Sequence, residues 1–147
     1  MRIAVTGLGA VSAWGWGVPA LREGLRSGRT AIRSFSRFDH AGQRPHVAGE
    51  VPEARSLRVS GSWARLSWAD RFALFAAKEA IAEAGLAPPF PPSVGVYFGT
   101  STAGIYESEE HMIAAWGGRR ARRDLLASWQ LNGPGDALHR GSAPLGY

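Results

Sequence analysis

Gly7 and Gly9 follow an apolar run from Ile3 to Val5, a spacing found in loops that cradle phosphate. In the dinucleotide fingerprint Gly-x-Gly-x-x-Gly, the first two glycines make the turn and approach the pyrophosphate. The third lets helix and strand pack closely. Here Ser12 stands in place of the third glycine, and Trp14-Gly15-Trp16-Gly17 separates the turn from the following helix. No acidic residue ends a strand about twenty residues on, where a ribose partner belongs. The pair therefore reads as backbone geometry, since glycine takes positive φ cheaply. No cofactor is expected.

Three other groups carry chemical side chains. Gly99-Thr100-Ser101-Thr102-Ala103-Gly104 offers hydroxyls and N–H groups ahead of a helix, an arrangement that binds anions. A turn that permits close packing uses the same small residues, and that reading is preferred. Glu107, Glu109, Glu110 and His111 form an acid–base cluster in sequence. Acidic side chains early in a helix are already accounted for by its dipole, so none is assigned a catalytic role. Arg119, Arg120, Arg122 and Arg123 put four cations in five residues. That is either a solvated loop or a docking surface for an acidic partner, where charge mainly raises association rate.

Absences narrow the chemistry further. The 147 residues contain no cysteine, which excludes disulfides, thiolate metal sites and a cysteine nucleophile within them. The histidines, at 40, 46, 111 and 139, show no metal-ligand spacing and read as surface or loop residues. No metal site is expected. Sixteen of the seventeen basic residues are arginine, the exception being Lys78, and the net charge is +5. The aromatics are not interleaved with the basic residues as in a nucleic-acid module, so no nucleic acid is expected.

These residues need elements to position them. The length suits one domain with a core of ordinary size. Residues 2–7 read as a strand and roughly 17–27 as a helix ending at Gly28. The stretch 29–62 reads as a long excursion with short extended pieces near 46–51, and a loop of that length is usually functional or partner-bound. Ser67-Trp68-Ala69-Asp70 has capping-box spacing, so a helix should start at about Trp68. Its body is apolar on most faces and should be buried between two layers, its alanines allowing close approach. Gly85 stops it, and the proline-rich stretch 88–92 prevents continuation. Val94 to Phe98 reads as a strand buried on both faces, followed by a helix from about Ala103 to Trp116. Strand, helix, excursion, helix and strand predict an α/β layered domain with at least partly parallel pairing. No apolar run is long enough to span a membrane, and a core strand at the start leaves no room for a targeting peptide. The expected location is the cytoplasm.

Val5-Thr6-Gly7-Leu8-Gly9, with Val11-Ser12 and Gly15, resembles the N-terminal strand and turn of the β-ketoacyl synthases, the condensing enzymes of fatty acid and polyketide assembly. The resemblance continues in order through Ser27-Gly28 with Ile32 and Phe35 to Asp39, and through Val47-Ala48-Gly49-Glu50-Val51. Asp70-Arg71-Phe72 to Ala84-Gly85-Leu86, and Val94 to Ser101, complete it. It covers about residues 2–138.

The resemblance implies a thiolase-like α/β fold, of which residues 1–147 form an incomplete N-terminal portion with an atypical tail at 139–147. It implies decarboxylative Claisen condensation of acyl and malonyl thioesters, with a cysteine thiolate carrying the acyl chain and two histidines assisting decarboxylation. Neither the cysteine nor its Thr-Ala-Cys elbow is present, and His40, His46, His111 and His139 match none of the family's catalytic positions. These residues are therefore expected to be silent alone, because covalent catalysis needs an activated nucleophile. The matching loop of the family lines the acyl pocket near the dimer interface, which implies that Thr102 bears on chain length. The family binds acyl carrier protein, an acidic partner, which makes Arg119, Arg120, Arg122 and Arg123 docking candidates, with Arg65 a further one. A homodimer or heterodimer is implied. A split synthase, or a non-catalytic partner like the chain-length factors of polyketide systems, is the alternative.

Overall fold

The computed structural model describes residues 2–52, 66–87, 89–91, 93–102 and 104–120. Two short strands, β1 (Val11–Ser12) and β2 (Gly15–Trp16), pair antiparallel with Val11 opposite Trp16 and Ser12 opposite Gly15. The helix α1 (Val18–Arg26) follows at once. A second antiparallel pair, β3 (Arg33–Ser34) and β4 (Val47–Ala48), closes the loop between them, with Arg33 opposite Ala48 and Ser34 opposite Val47. The longer helices are α2 (Trp68–Glu83) and α3 (Ile105–Trp116).

The helices start and stop where local chemistry directs. At α2 the Ser67 hydroxyl accepts the Asp70 N–H at 3.1 Å, and the Asp70 carboxylate accepts the Ser67 N–H at 3.2 Å. This reciprocal pair is the capping box expected from the sequence, with Asp in the Glu position. Both residues are buried. At the other end, Gly85 takes φ 67° and donates to Ala82, while the Leu86 N–H reaches Ile81 at 3.1 Å. The α3 terminus repeats this closure with Gly118, Ala115, Arg119 and Ala114. Only a residue at ease with positive φ makes this turn.

Residues 2–7 and 94–98 do not form the strands expected of them. A strand exists through its ladder, and among the described residues neither stretch pairs with another, while the donors just beyond residue 7 bond to α2. The Leu8 N–H donates to the Glu83 carboxylate, and the Ala10 N–H to Glu79 at 3.0 Å. Ile3 and Val5 stay exposed, as do Val94, Val96, Tyr97 and Phe98.

The segment 7–10 instead lies along α2, running opposite to it. A Cβ on Gly7 would stand 2.0 Å from the Ala80 carbonyl oxygen, and one on Gly9 would stand 1.8 Å from that of Ala76. Neither glycine is at positive φ. Close approach to a helix, and not backbone freedom, is what requires glycine at these two positions. Two residues of extended chain advance about 6.6 Å and four of helix about 6.0 Å, so the two repeats stay in step. Glycines therefore meet Ala76, Ala80 and Ala84, while the N–H groups between them meet Glu79 and Glu83.

Among the described residues the buried apolar side chains are Ala31, Phe35 and Leu74, and beside Leu74 stands a half-buried aromatic cluster. Trp16 sets its ring edge-on to Phe72 at 5.5 Å and Phe75 at 4.9 Å, and its Nε1–H donates to the Pro52 carbonyl at 3.2 Å. Trp14 lies over Gly24 of α1. Along α2 only Asp70 and Leu74 are fully buried, so the helix is less enclosed than its composition implies. Among the described residues, the β1–β2 hairpin and segment 7–10 lie against it.

Candidate functional site

A concavity open to solvent lies between the 35–43 loop and α3. Its volume is about 630 Å³, with Phe38, Asp39 and Gln43 on one wall and Tyr106, Glu109 and Ile113 on the other. Arg37 ties the loop to the helix. Its guanidinium lies 4.4 Å from the Tyr106 ring centre and 3.6 Å from Glu107 Oε1. Glu107 is buried and also accepts the Trp68 N–H at 3.0 Å, capping the first turn of α2 from α3. Glu107 is thus in the first turn of its own helix, as expected, and serves the neighbouring helix as well.

Glu109 and Glu110 are exposed on the cleft wall, and among the described residues they pair with no base in an acid–base arrangement. Thr102 is exposed, and its carbonyl accepts the Ile105 N–H at 3.0 Å as α3 begins. Arg119 is held just past the end of α3 by its N–H bond to Ala114, lines the cleft, and is exposed together with Arg120. Thr102 and Arg119 therefore sit at opposite ends of one helix of twelve residues, about 18 Å long. They do not converge on one site. Arg65, Arg122 and Arg123 lie outside the described residues, as does the tail at 139–147.

Two arrangements had no counterpart in the sequence reading. Glu79 reaches from α2 to the start of α1, where its Oε1 accepts the Val18 N–H at 2.8 Å. Gly17, the N-cap, has no side chain to do this, and a carboxylate is the favoured group at the positive helix end. Two glutamates four residues apart, Glu79 and Glu83, on one face of an alanine-rich helix were the available signal.

The second arrangement joins two histidines read as separate loop residues. His40 Nδ1 and His46 Nδ1 stand 2.9 Å apart, and His40 Nε2 lies 3.1 Å from the Phe35 carbonyl oxygen. The β3–β4 pairing brings them together by fixing Ser34 opposite Val47. Among the described residues no group of three or more His, Cys, Asp or Glu side chains converges. No helix among them is long and apolar enough to cross a membrane.

The family described as Beta-ketoacyl synthase, N-terminal domain, matches residues 1–128. The tetracenomycin polyketide synthase ketoacyl synthase alpha subunit of Streptomyces glaucescens is 34% identical over 140 residues, covering 88% of this chain and 32% of its own length. The 3-oxoacyl-[acyl-carrier-protein] synthase 1 of Escherichia coli K12 is 33% identical over 103 residues, covering 67% of this chain and 25% of its own length. The chain thus spans a third or less of these two relatives. Among solved structures, the ishigamide ketosynthase/chain length factor superposes with a TM-score of 0.70 at 24% identity, covering 92% of this chain and 36% of its own. That likeness establishes the fold as the N-terminal portion of the thiolase-like α/β architecture, and the chain belongs to the β-ketoacyl synthase family through its N-terminal domain.

Proposed function

We propose that these residues form the N-terminal part of a synthase that condenses carrier-bound acyl and malonyl thioesters, in the cytoplasm, in fatty acid or polyketide assembly. The single observation that carries this is the family match over residues 1–128, supported by the fold. The 147 residues hold no thiol, so the nucleophile of an acyltransferase would have to come from residues outside them. Their own contribution is scaffold and surface. Thr102, exposed ahead of α3, bears on the acyl pocket or a dimer interface. Arg119 and Arg120, exposed beyond it, receive an acidic carrier protein together with Arg122, Arg123 and Arg65.

A second reading, supported by the likeness to the ishigamide ketosynthase/chain length factor, is that the chain is the subunit of a split synthase or a non-catalytic partner. One experiment separates the two. The chain is mixed with a polypeptide spanning the remainder of the tetracenomycin relative, and condensation of acyl and malonyl groups on holo-acyl carrier protein is followed. Activity that requires both polypeptides supports a condensing role, as one part of a synthase or as a split subunit. A stable complex that binds carrier protein without condensing supports the non-catalytic partner. Neither complex nor carrier binding would sink both. Charge reversal at Arg119 and Arg120 should weaken carrier binding, with most of the loss in association rate.

A further inference from the structure

Two buried polar side chains stand next to each other at the start of α3, Glu107 at 8% exposure and Ser108 at 2%. Glu107 Oε1 accepts the Trp68 N–H at 3.0 Å and lies 3.6 Å from the Arg37 guanidinium. One carboxylate thereby ties α3 to the first turn of α2 and to the loop after β3. Ser108 works within its own helix. Its hydroxyl donates to the Gly104 carbonyl at 3.0 Å, and that oxygen also accepts the Ser108 N–H at 3.1 Å.

Gly104 is the N-cap and offers no side chain to fix the start of α3. Just ahead of it, the Thr102 carbonyl accepts the Ile105 N–H at 3.0 Å, so the turn carrying Thr102 is bonded to the first residue of the helix. Where that first turn stands, Thr102 stands. Packed apolar residues replace buried ion pairs at little or no cost in stability, so burial alone does not call for a carboxylate here. What the carboxylate adds is direction, because a hydrogen bond has a preferred length and angle.

We infer that Glu107, assisted by Ser108, is a positioning residue that places Thr102 and so sets the acyl chain length accepted, on the reading proposed above that Thr102 bears on the acyl pocket. Glu107 acts through the Thr102 turn and not by touching the acyl chain. One methylene in an apolar pocket discriminates by about tenfold or more, so a small displacement of this turn is enough to change the preferred chain.

The first measurement uses the full chain alone and follows amide exchange at Trp68 and Ile105. In Glu107→Ala, exchange at Trp68 should rise about tenfold or more, the effect of losing a hydrogen bond to a charged group. Exchange at Ile105 should rise in Glu107→Ala and in Ser108→Ala. Glu107→Gln keeps an acceptor and should restore slow exchange at Trp68, while Glu110→Gln, an exposed change, should alter neither amide. Unchanged exchange at Ile105 overturns the assignment. Should Glu107→Ala lose its helicity by circular dichroism, Ser108→Ala and Glu107→Gln carry the decision.

The second measurement uses the chain with the polypeptide spanning the remainder of the tetracenomycin relative, and compares kcat/KM for a shorter and a longer acyl thioester. The ratio should shift about tenfold in Glu107→Ala or Ser108→Ala and return toward the parent value in Glu107→Gln. A loss of structure alone would lower both rates together and leave the ratio unchanged. An unchanged ratio in these variants, beside a shifted ratio in Thr102→Leu, overturns the positioning role and leaves the reading of Thr102 standing. A ratio unmoved in Thr102→Leu as well removes both. A parent pair that does not condense removes the synthase reading, and the specificity role with it.

Discussion

Glu79 Oε1 on α2 and the Val18 N–H that opens α1 lie 2.8 Å apart. The other oxygen of the same carboxylate accepts the Ala10 N–H at 3.0 Å. One side chain therefore holds the chain on both sides of the β1–β2 hairpin and supplies the cap that Gly17 lacks. Glu107 does the equivalent for α2, through the Trp68 N–H at 3.0 Å. Each of these helices begins on a carboxylate borrowed from the next.

Glu79→Ala removes the acceptor of two backbone donors at once. Hydrogen bonds to charged groups are worth about 1.5–3 kcal/mol, so a loss of about 2 kcal/mol in urea unfolding is expected for this half-buried group. Glu79→Gln keeps an acceptor but loses the charge at the helix end, and should cost about half as much. Amide exchange at Val18 should accelerate in both variants. An unchanged Val18 exchange rate would show that the cap is not formed.

Gly9→Ala would force a methyl to 1.8 Å from the Ala76 carbonyl oxygen, a helix backbone atom that cannot step aside. Overpacking of this kind costs about 3 kcal/mol and should appear as a lowered unfolding midpoint. Gly42→Ala is the matched comparison, with nothing within 4 Å of the added carbon. It should change stability by less than about 0.5 kcal/mol. Equal effects at the two positions would contradict the packing of segment 7–10 on α2.

Trp14 and Gly24 offer a test of pairwise contact. A Cβ on Gly24 would fall 2.1 Å from the indole of Trp14. Gly24→Ala alone should displace the ring and destabilise the α1–hairpin contact. Combined with Trp14→Ala, it should cost less than the two single changes added together, with a coupling of about 1 kcal/mol. Strict additivity in the double-mutant cycle would mean that the indole does not cover Gly24.

Much of the local structure was legible from the residues. Ser67 and Asp70 announced the start of α2, and Gly85 announced its end, because caps involve groups only a few residues apart. The helix expected over about 103–116 is observed at Ile105–Trp116 for the same reason. The family, too, was carried by ordered short segments, and the match over residues 1–128 agrees with that reading. The strands fared differently. Ile3 to Val5 and Val94 to Phe98 have strand composition, yet a ladder needs a partner that composition cannot specify.

The division follows from distance along the chain. Helix limits, the capping box and the absence of a thiol are properties of neighbours in sequence, or of the residue inventory itself, and the sequence by itself determined them. The purpose of Gly7 and Gly9, the reach of Glu79 across 61 residues to Val18, and the meeting of His40 with His46 were decided only by the tertiary structure. In each case the deciding neighbour is brought close by packing or by strand register, and no periodicity in the chain records that approach.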